Sequence, residues 1–300
     1  MRFFLFKYII IFSAVIILYT TICSTQAIAQ DKKSEDESPP ILVKKDDAKL
    51  AELKQIDNTV TVKTVIDGKT FTDLDGNTYA LASLDIQFDA PYARQAKEQL
   101  EELIMGKTLI LFQTKNPKFG RQNHMGHTIV HALTKDTHTW VQATLLANGA
   151  ARVRTTPYTY EHVQDLLNHE LDARNNKRGI WKDDAFDILT PDTAIDHIGS
   201  FQIVEGKIKK VAVTKNNIYL NFGDNWKNDF TIGIEPSVRR ALAKKNITVQ
   251  NWTGKDIQMR GWIRLYNGPY IDLTHEQQIQ LFDPIPKDID GNEQDTPTKK

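Results

Sequence analysis

Cysteine is almost absent from this sequence, and the single cysteine, Cys23, lies in an N-terminal segment, residues 1–29, of distinct composition. The segment has a basic start, an apolar stretch, and the small residues Ala27-Ile28-Ala29 directly before Gln30. This pattern is typical of a secretory signal peptide, and we expect cleavage after Ala29. The mature chain then has no thiol, which excludes disulfide bonds, thiolate metal ligands and cysteine catalysis.

The apolar stretch of this segment is short, since it runs only from Tyr8 to Leu18. A transmembrane helix needs about 20 apolar residues, so an uncleaved N-terminal membrane anchor is the minor alternative. Acylation is disfavoured, because a lipoprotein signal has a small residue before its cysteine and this chain has Ile22. A cysteine-free mature chain fits an oxidising compartment. We expect a periplasmic or secreted bacterial protein with no stable membrane insertion after signal cleavage.

Neither sign of charge is in excess, because 38 lysines and arginines balance 38 aspartates and glutamates. This balance excludes a strong bias of the whole chain towards nucleic acid or anionic membranes. Hydrophobic residues make up 40% of the chain and charged residues 25%, as in an ordinary soluble globular protein. The length of 300 residues favours two domains.

Two charged segments have little apolar pattern. Residues 30–57, which contain Pro39-Pro40, are predicted to be a flexible linker. Residues 283–300 are predicted to be a disordered tail. The tail contains the sequence DIDGNEQD, which looks like a calcium loop but lacks the closing glutamate and the flanking helices.

The block 58–187 has the pattern of a small antiparallel β-barrel with helices packed at one end. Alternating apolar residues predict three strands joined by hairpins at its start. An amphipathic helix from Pro91 to Gly106 follows, then the strands TLILFQT and TIVHAL, then helices that end at Gly149 and Gly179. The block 195–282 has about five short strands and one inserted helix, EPSVRRALAKK, and predicts a second small barrel.

Four motifs of the first block resemble the staphylococcal nuclease (thermonuclease-like) family, in the order in which that family has them. VIDGKT stands where the family has its Asp-Gly-Asp-Thr turn, and ALASLDI resembles the strand that leads into its metal-binding aspartate. WVQATLLANGAARV resembles the second helix, and ARNNKRGIW resembles the end of the C-terminal helix. The resemblance covers Thr59 to Asp187 and implies an OB-fold barrel. The expected fold class is mainly β with α: a nuclease-like OB-fold barrel with packed helices, followed by a second small OB-like β-barrel domain.

Activity in that family requires carboxylates that hold a calcium ion, a glutamate that activates water, and two arginines that neutralise the phosphate. By this resemblance Asp67 is the first aspartate of the turn and Asp85 is another metal ligand. Lys69 replaces a calcium-ligating aspartate, and its charge repels a cation. Ala80 and Phe88 stand in the places of the first arginine and the glutamate.

A second alignment is open, because FDAPY also resembles the family's Asp-Thr-Pro-Glu. In that register Asp89 is the metal ligand, and Leu84 and Tyr92 take the arginine and glutamate positions. Both registers therefore lose both residues. The position of the second arginine falls at His127 in the preferred alignment and at Arg121 in the alternative. The sequence predicts a degenerate nuclease homologue, a pseudoenzyme with respect to the calcium mechanism.

Histidines offer a different metal chemistry. Four of them follow one another closely: His124, His127, His131 and His138. Converging imidazoles and a carboxylate at Asp67 or Asp85 would suit zinc, whereas surface and turn histidines are the competing interpretation. Lys69 has two interpretations as well, as a ligand for an anionic group or as an internal partner of these carboxylates. We expect no cofactor, with calcium if the ancestral site survives and zinc as the alternative.

The second block is rich in aromatic residues and carries more basic than acidic residues. Aromatic and basic side chains on an OB-like face bind single strands without sequence preference. The candidate nucleic-acid-binding residues are Trp226, Trp262, Tyr266 and Arg264. The competing interpretation is that most of the aromatic side chains fill the core of a small barrel.

From these observations we expect an exported protein with a binding or structural role in the cell envelope. Its partner would be single-stranded nucleic acid, or envelope proteins or the cell wall. The alternative is an active or residual metal-dependent phosphodiesterase that hydrolyses DNA or RNA. Its rearranged site would use Asp67, Asp85, Arg121 and His127.

Overall fold

The computed structural model describes residues 39–45, 50–89, 91–182, 186–215, 217–225 and 227–282. The predicted signal peptide, the predicted tail and Trp226 lie outside these residues. All the elements below belong to one compact unit, Ile41–Lys300. None of the helices in the described ranges has both the length and the apolar character that a membrane crossing requires.

The first block contains a closed five-stranded barrel. The strands of the whole block are β1 (Lys54–Gln55), β2 (Val60–Asp67), β3 (Thr70–Asp73), β4 (Thr78–Leu81), β5 (Leu84–Asp85), β6 (Thr108–Gln113), β7 (Thr128–Thr134) and β8 (Arg152–Val153). The barrel runs in the order β6-β2-β3-β4-β7 and closes by pairing of β6 with β7. Strands β4 and β7 are parallel, and the other neighbours are antiparallel. This order confirms the predicted OB-like barrel.

Three helices pack against the barrel: α1 (Tyr92–Ile104), α2 (Val141–Ala147) and α3 (Val163–Asn175). Helix α1 connects β4 and β5 to β6, and its apolar stripe, which includes Ala96 and Leu100, is buried. Phe71 from the barrel and Trp140 at the start of α2 are fully buried in the same core. Two short strands, β5 after β4 and β8 after α2, pair with each other in the antiparallel direction.

The prediction of a flexible linker over residues 30–57 is corrected at its end. Leu50 and Leu53 are buried in the core of the first block, and β1 pairs with β6. Val43 also contacts the block, because its amide donates to Thr144 Oγ1 at 3.1 Å and its carbonyl accepts from Trp140 N at 2.7 Å. The sequence did not predict this packing, because two isolated leucines in a charged segment form no periodic pattern, although burial of each leucine is favourable.

The second block has the same order of connections. Its elements are β9 (Phe201–Lys207), β10 (Lys210–Val213), β11 (Ile218–Asn221), β12 (Thr231–Ile234), α4 (Pro236–Lys244), β13 (Asp256–Trp262), β14 (Arg264–Leu265), β15 (Pro269–Leu273) and β16 (Ile279–Phe282). They form two sheets over a second core, β10-β11-β12-β15-β14 and β16-β13-β9. In both blocks a helix lies in sequence between the two strands of a parallel pair: α1 between β4 and β7, and α4 between β12 and β15. The sequence predicted a second OB-like barrel, and the structure describes this block as two sheets over one core.

The two blocks are joined by buried polar contacts. Arg260 on β13 donates to Glu170 on α3 at 3.0 Å, and both side chains are almost fully buried. Oε1 of Glu170 also accepts a hydrogen bond from the amide of Val153 on β8, at 2.8 Å. A small apolar cluster that includes Trp181 and Ile203 lies beside this contact. The second block is therefore fixed against the side of the first that carries α3, β5 and β8.

Candidate functional site

The turn between β2 and β3 consists of Asp67, Gly68 and Lys69. The exposed Asp67 uses its Oδ1 to accept a hydrogen bond from the backbone amide of Lys69, at 2.9 Å. Gly68 is buried under α1, and a Cβ at this position would lie 2.7 Å from Cβ of Ala96. Glycine is therefore required here for the close approach of the helix. The turn holds Asp67 and Lys69 at the end of the barrel where β5 begins.

Asp85 on β5 is a buried carboxylate that is neutralised by the protein. Its Oδ2 lies 2.9 Å from Nη2 of Arg152, and the side chains of the two residues are 6% and 4% exposed. Arg154 approaches the other oxygen, with Nη1 at 3.6 Å from Oδ1. Arg152 also donates to the carbonyl of Phe201 at 2.8 Å and to Oε1 of Gln202 at 3.1 Å, both on β9. Arg152 thus bridges Asp85 and the second block.

Lys69 belongs to the same electrostatic cluster. Burial lowers the pKa of Lys69 below its ordinary value, while Asp85 and Asp67 oppose this shift and the positive charge of Arg154 adds to it. Lys69, Arg152 and Arg154 therefore place three cationic groups around one buried carboxylate. A divalent cation brought to Asp85 would be repelled by all three.

The second block covers this cluster with aromatic rings. The guanidinium of Arg154 lies 5.5 Å from the ring centroid of Phe201 and 5.4 Å from that of Trp262. Trp262 is half-exposed. Sequence reasoning singled out Trp262 but missed Arg152 and Arg154. Arg152 lies in the ARV that ends the motif resembling the family's second helix, and Arg154 directly follows this motif.

Arg121 and His127 lie in the connection between β6 and β7. The carbonyl of Arg121 accepts from the amide of Ile129 on β7 at 2.9 Å, and Gln122 pairs with Thr128. The residues between them make a hairpin, in which Oδ1 of Asn123 accepts from the amide of His127 at 3.0 Å. This hairpin lengthens the connection from Arg121 to the strand, as the alternative alignment requires.

Beside Arg121 lies a groove of about 840 Å³. The rings of Phe119 and Tyr158 are stacked at its edge with centroids 4.7 Å apart, and both are about half-exposed. Lys118 and Gln113 also line the groove. The groove thus presents an aromatic platform next to two cationic side chains.

Comparison with protein families identifies the first block. Residues 73–183 match the family model described as "Staphylococcal nuclease homologue". These residues form a staphylococcal nuclease-like domain. The match confirms the resemblance, and it includes Asp85 and Arg121 but begins after Asp67 and Lys69. No curated protein matches the chain.

The histidines of the nuclease-like domain do not meet at one place. His131 is buried beside Trp140, with ring centroids 5.9 Å apart, whereas His127 lies in the inserted hairpin. Burial, with smaller contributions from His162 and Lys45, lowers the pKa of His131 to about 3. Among the described residues, no group of three histidine, aspartate, glutamate or cysteine side chains is placed to hold a metal ion.

In the second block, the predicted nucleic-acid-binding residues separate into two places. Trp262 faces Arg154 of the nuclease-like domain, as described above. Arg264 donates two hydrogen bonds to Asp272, at 2.7 and 3.1 Å, and its guanidinium lies over the rings of Tyr266 and Tyr270. The charge of Arg264 is therefore already paired with that of Asp272 inside the block. Trp226, the fourth candidate, lies outside the described residues.

Proposed function

We propose that the nuclease-like domain binds single-stranded nucleic acid and does not cleave it by the calcium mechanism of its family. The observation that supports this most directly is the buried pair of Asp85 and Arg152, at 2.9 Å. A carboxylate that already has a guanidinium partner, with Lys69 and Arg154 nearby, is a poor ligand for a divalent cation. The carboxylate oxygens would also have to leave Arg152 before they could bind calcium.

The absence of the family's base supports the same proposal. Phe88 stands at the glutamate position and is 81% exposed, and a phenyl ring cannot accept a proton from water. Ala80, at the first arginine position, pairs with Thr70 in the barrel and offers no charge to a phosphate. Loss of a general base alone costs a factor of about 10² to 10⁴ in rate.

The groove beside Arg121 supplies the binding surface. Phe119 and Tyr158 offer ring faces on which bases stack, and Arg121 and the exposed Lys118 offer charge for phosphates. Stacking on aromatic rings tolerates any base, so binding should show little sequence preference. Phosphate contacts should make it weaker as the salt concentration rises.

The test is fluorescence anisotropy with labelled single-stranded DNA and RNA. Stacking contributes about 1–3 kcal/mol per base, so the full chain with Phe119→Ala or Tyr158→Ala should bind about 5- to 150-fold more weakly. The control is Tyr160→Ala, which removes a half-exposed tyrosine outside the groove and should leave the affinity unchanged. Equal affinity of the parent and both groove variants would refute the proposal.

A residual metal-dependent phosphodiesterase is the second candidate, since the domain matches a nuclease family. The same oligonucleotides, incubated with calcium, zinc or a chelator, distinguish the two. Cleavage that requires metal and is lost in Asp85→Asn, with the fold intact by circular dichroism, would support the phosphodiesterase. Intact oligonucleotide under every condition would support binding without cleavage.

We also propose that the chain acts outside the cytoplasm, on the basis of the signal pattern in residues 1–29. N-terminal sequencing of protein recovered from the periplasm or the medium should begin at Gln30. Recovery of the chain with its first residues intact and bound to membranes would favour the anchor instead.

A further inference from the structure

The five-stranded sheet of the second block has a pocket of about 380 Å³ on its outer face. We propose that this pocket binds one nucleobase of a single strand, with the attached phosphate at its rim. The inference rests on the proposed function and gives it a second contact, away from the groove of the nuclease-like domain. The side chains that carry it are Lys210, Tyr219, Asn221, Thr231, Tyr266 and Tyr270.

Strand alternation explains why these side chains share a face. On β11, Ile218 and Leu220 are buried in the second core, so Tyr219 and Asn221 point to the other side of the sheet. Asn221 pairs with Thr231 on β12, and Thr231 pairs with Tyr270 on β15. Lys210 on β10 pairs with Asn221, so the pocket lies across four adjacent strands, on the face opposite the core.

The floor of the pocket is a tyrosine that needs a glycine beneath it. A Cβ on Gly233 would lie 1.5 Å from the hydroxyl oxygen of Tyr270, so only glycine lets this ring lie across β12. Tyr270 is nearly fully buried. Burial, followed by the negative charge of Asp272, raises the pKa of Tyr270 to about 12, so its hydroxyl stays protonated. The absence of a side chain at Gly233 therefore leaves room for the aromatic ring of Tyr270.

The aromatic wall is held in place before any ligand arrives. The guanidinium of Arg264 lies 4.2 Å from the ring centroid of Tyr270 and 5.1 Å from that of Tyr266. The two rings meet edge to face at 5.4 Å, and Asp272 anchors Arg264 by two hydrogen bonds. Tyr266 remains half-exposed. A fixed ring with a free face is a preorganised stacking platform for a planar ligand.

Asn221 supplies a hydrogen-bond donor inside the pocket. The residue is only 8% exposed, and its Oδ1 accepts from Oγ1 of Thr231 at 3.4 Å. Its Nδ2 donates to no group among the described residues, and Asn221 lines the pocket. A ring nitrogen or carbonyl oxygen on the edge of a base would accept this bond.

Charge at the rim favours a nucleotide over a sugar. Lys210 is exposed and makes no ion pair within the described ranges, so its ammonium is free for a phosphate. The carboxylate at the rim, Asp224, is already paired with Lys209 at 3.0 Å. A neutral pyranose carries no negative charge for Lys210, whereas a nucleotide offers a planar base to stack, an acceptor on the edge of the base and a phosphate.

The test is calorimetric titration of the full chain with nucleoside monophosphates. Tyr266→Ala should weaken binding about 5- to 150-fold, and Lys210→Ala should weaken it and flatten its dependence on salt. The control is Leu265→Ala, because Leu265 is an exposed neighbour of Tyr266 that does not line the pocket. Circular dichroism confirms that each variant is folded.

The inference is overturned if no nucleotide binds at millimolar concentration, if Tyr266→Ala binds as well as the parent, or if monosaccharides bind and nucleotides do not. Phe119→Ala separates this site from the groove. Mononucleotide binding that survives Phe119→Ala and is lost in Tyr266→Ala supports the pocket, even if oligonucleotides fail to bind the groove. Binding lost only in Phe119→Ala assigns the ligand to the groove and refutes the pocket.

Discussion

At the scale of single residues, Gly68 shows how a motif serves the fold as well as a site. The substitution Gly68→Ala should destabilise the protein by about 1–3 kcal/mol, because the new Cβ would lie 2.7 Å from that of Ala96. Urea denaturation measures the change. The double variant Gly68→Ala with Ala96→Gly removes the clash and should cost less than the sum of the two single variants. Strictly additive losses would contradict this explanation.

Arg152 gives a second prediction at this scale. Arg152→Met leaves Asp85 buried without its guanidinium, and loss of one partner of such a pair costs about 3–5 kcal/mol. Denaturation should show this loss, and adding Asp85→Leu should recover part of it by removing the unpaired charge. A single variant as stable as the parent would mean that Asp85 finds sufficient stabilisation from Arg154 or solvent.

Variants of Lys69 test whether the lysine at this position is alone responsible for the loss of calcium binding. Lys69→Asp restores the family's carboxylate, yet we expect no calcium binding by calorimetry, because Arg152 still holds Asp85 at 2.9 Å. Calcium binding in this variant at micromolar concentration would show that Lys69 alone is responsible for the loss. Lys69→Ala serves as the control without an added carboxylate.

The sequence predicted only part of this cluster. Lys69 and Asp85 stood in recognisable motifs, so their roles could be inferred from the family. Arg152 is 67 residues from Asp85, and its second partner, the carbonyl of Phe201, belongs to the other block. No local pattern encodes such a contact, since it depends on how the two blocks pack.

At the scale of elements, the segment before the first barrel gives a direct test. Leu50→Ala should destabilise the protein by about 2–5 kcal/mol, because Leu50 is 1% exposed and lies in the first core. The matched control is Leu42→Ala, since Leu42 is 53% exposed and should tolerate the change. Equal stability of the two variants in urea would support the flexible linker that the sequence predicted.

The elements themselves were the most predictable feature. Strand β2 was predicted from its β-branched residues, although two register shifts in its pairing with β3 place its buried residues, Val62 and Val65, three positions apart. Helix α1 starts after Pro91 and ends near Gly106, as its pattern indicates. The hairpin after Arg121 was missed, because its polar residues have no periodicity and its turn depends on the side chain of Asn123. Short polar insertions are defined by local hydrogen bonds, which a reading of periodicity does not detect.

At the scale of the whole molecule, two buried histidines should make stability depend on pH. Burial lowers the pKa of His131 to about 3 and that of His275 to about 4. Both stay neutral in the folded state, while the unfolded chain binds protons near pH 6.5. Stability is therefore greatest above pH 6.5 and should fall as the pH decreases towards 3.

Urea midpoints at pH 7.5, 5.5 and 4.5 measure this dependence. His131→Leu should flatten the fall, because it removes a group that binds a proton only on unfolding. His124→Gln, at an exposed position of the inserted hairpin, is the control and should keep the parent's slope. A parent whose midpoint does not change with pH would contradict the prediction.

The contact between Glu170 and Arg260 also affects the order of events during synthesis and folding of the chain. The two residues are 90 positions apart, and a ribosome adds roughly 5–20 residues per second, so α3 waits roughly 5–18 s for its partner. During that interval Glu170 would be a lone charge if α3 docked, and water solvates it better than the core does. We therefore expect stable docking of α3 only after β13, which carries Arg260, has been synthesised.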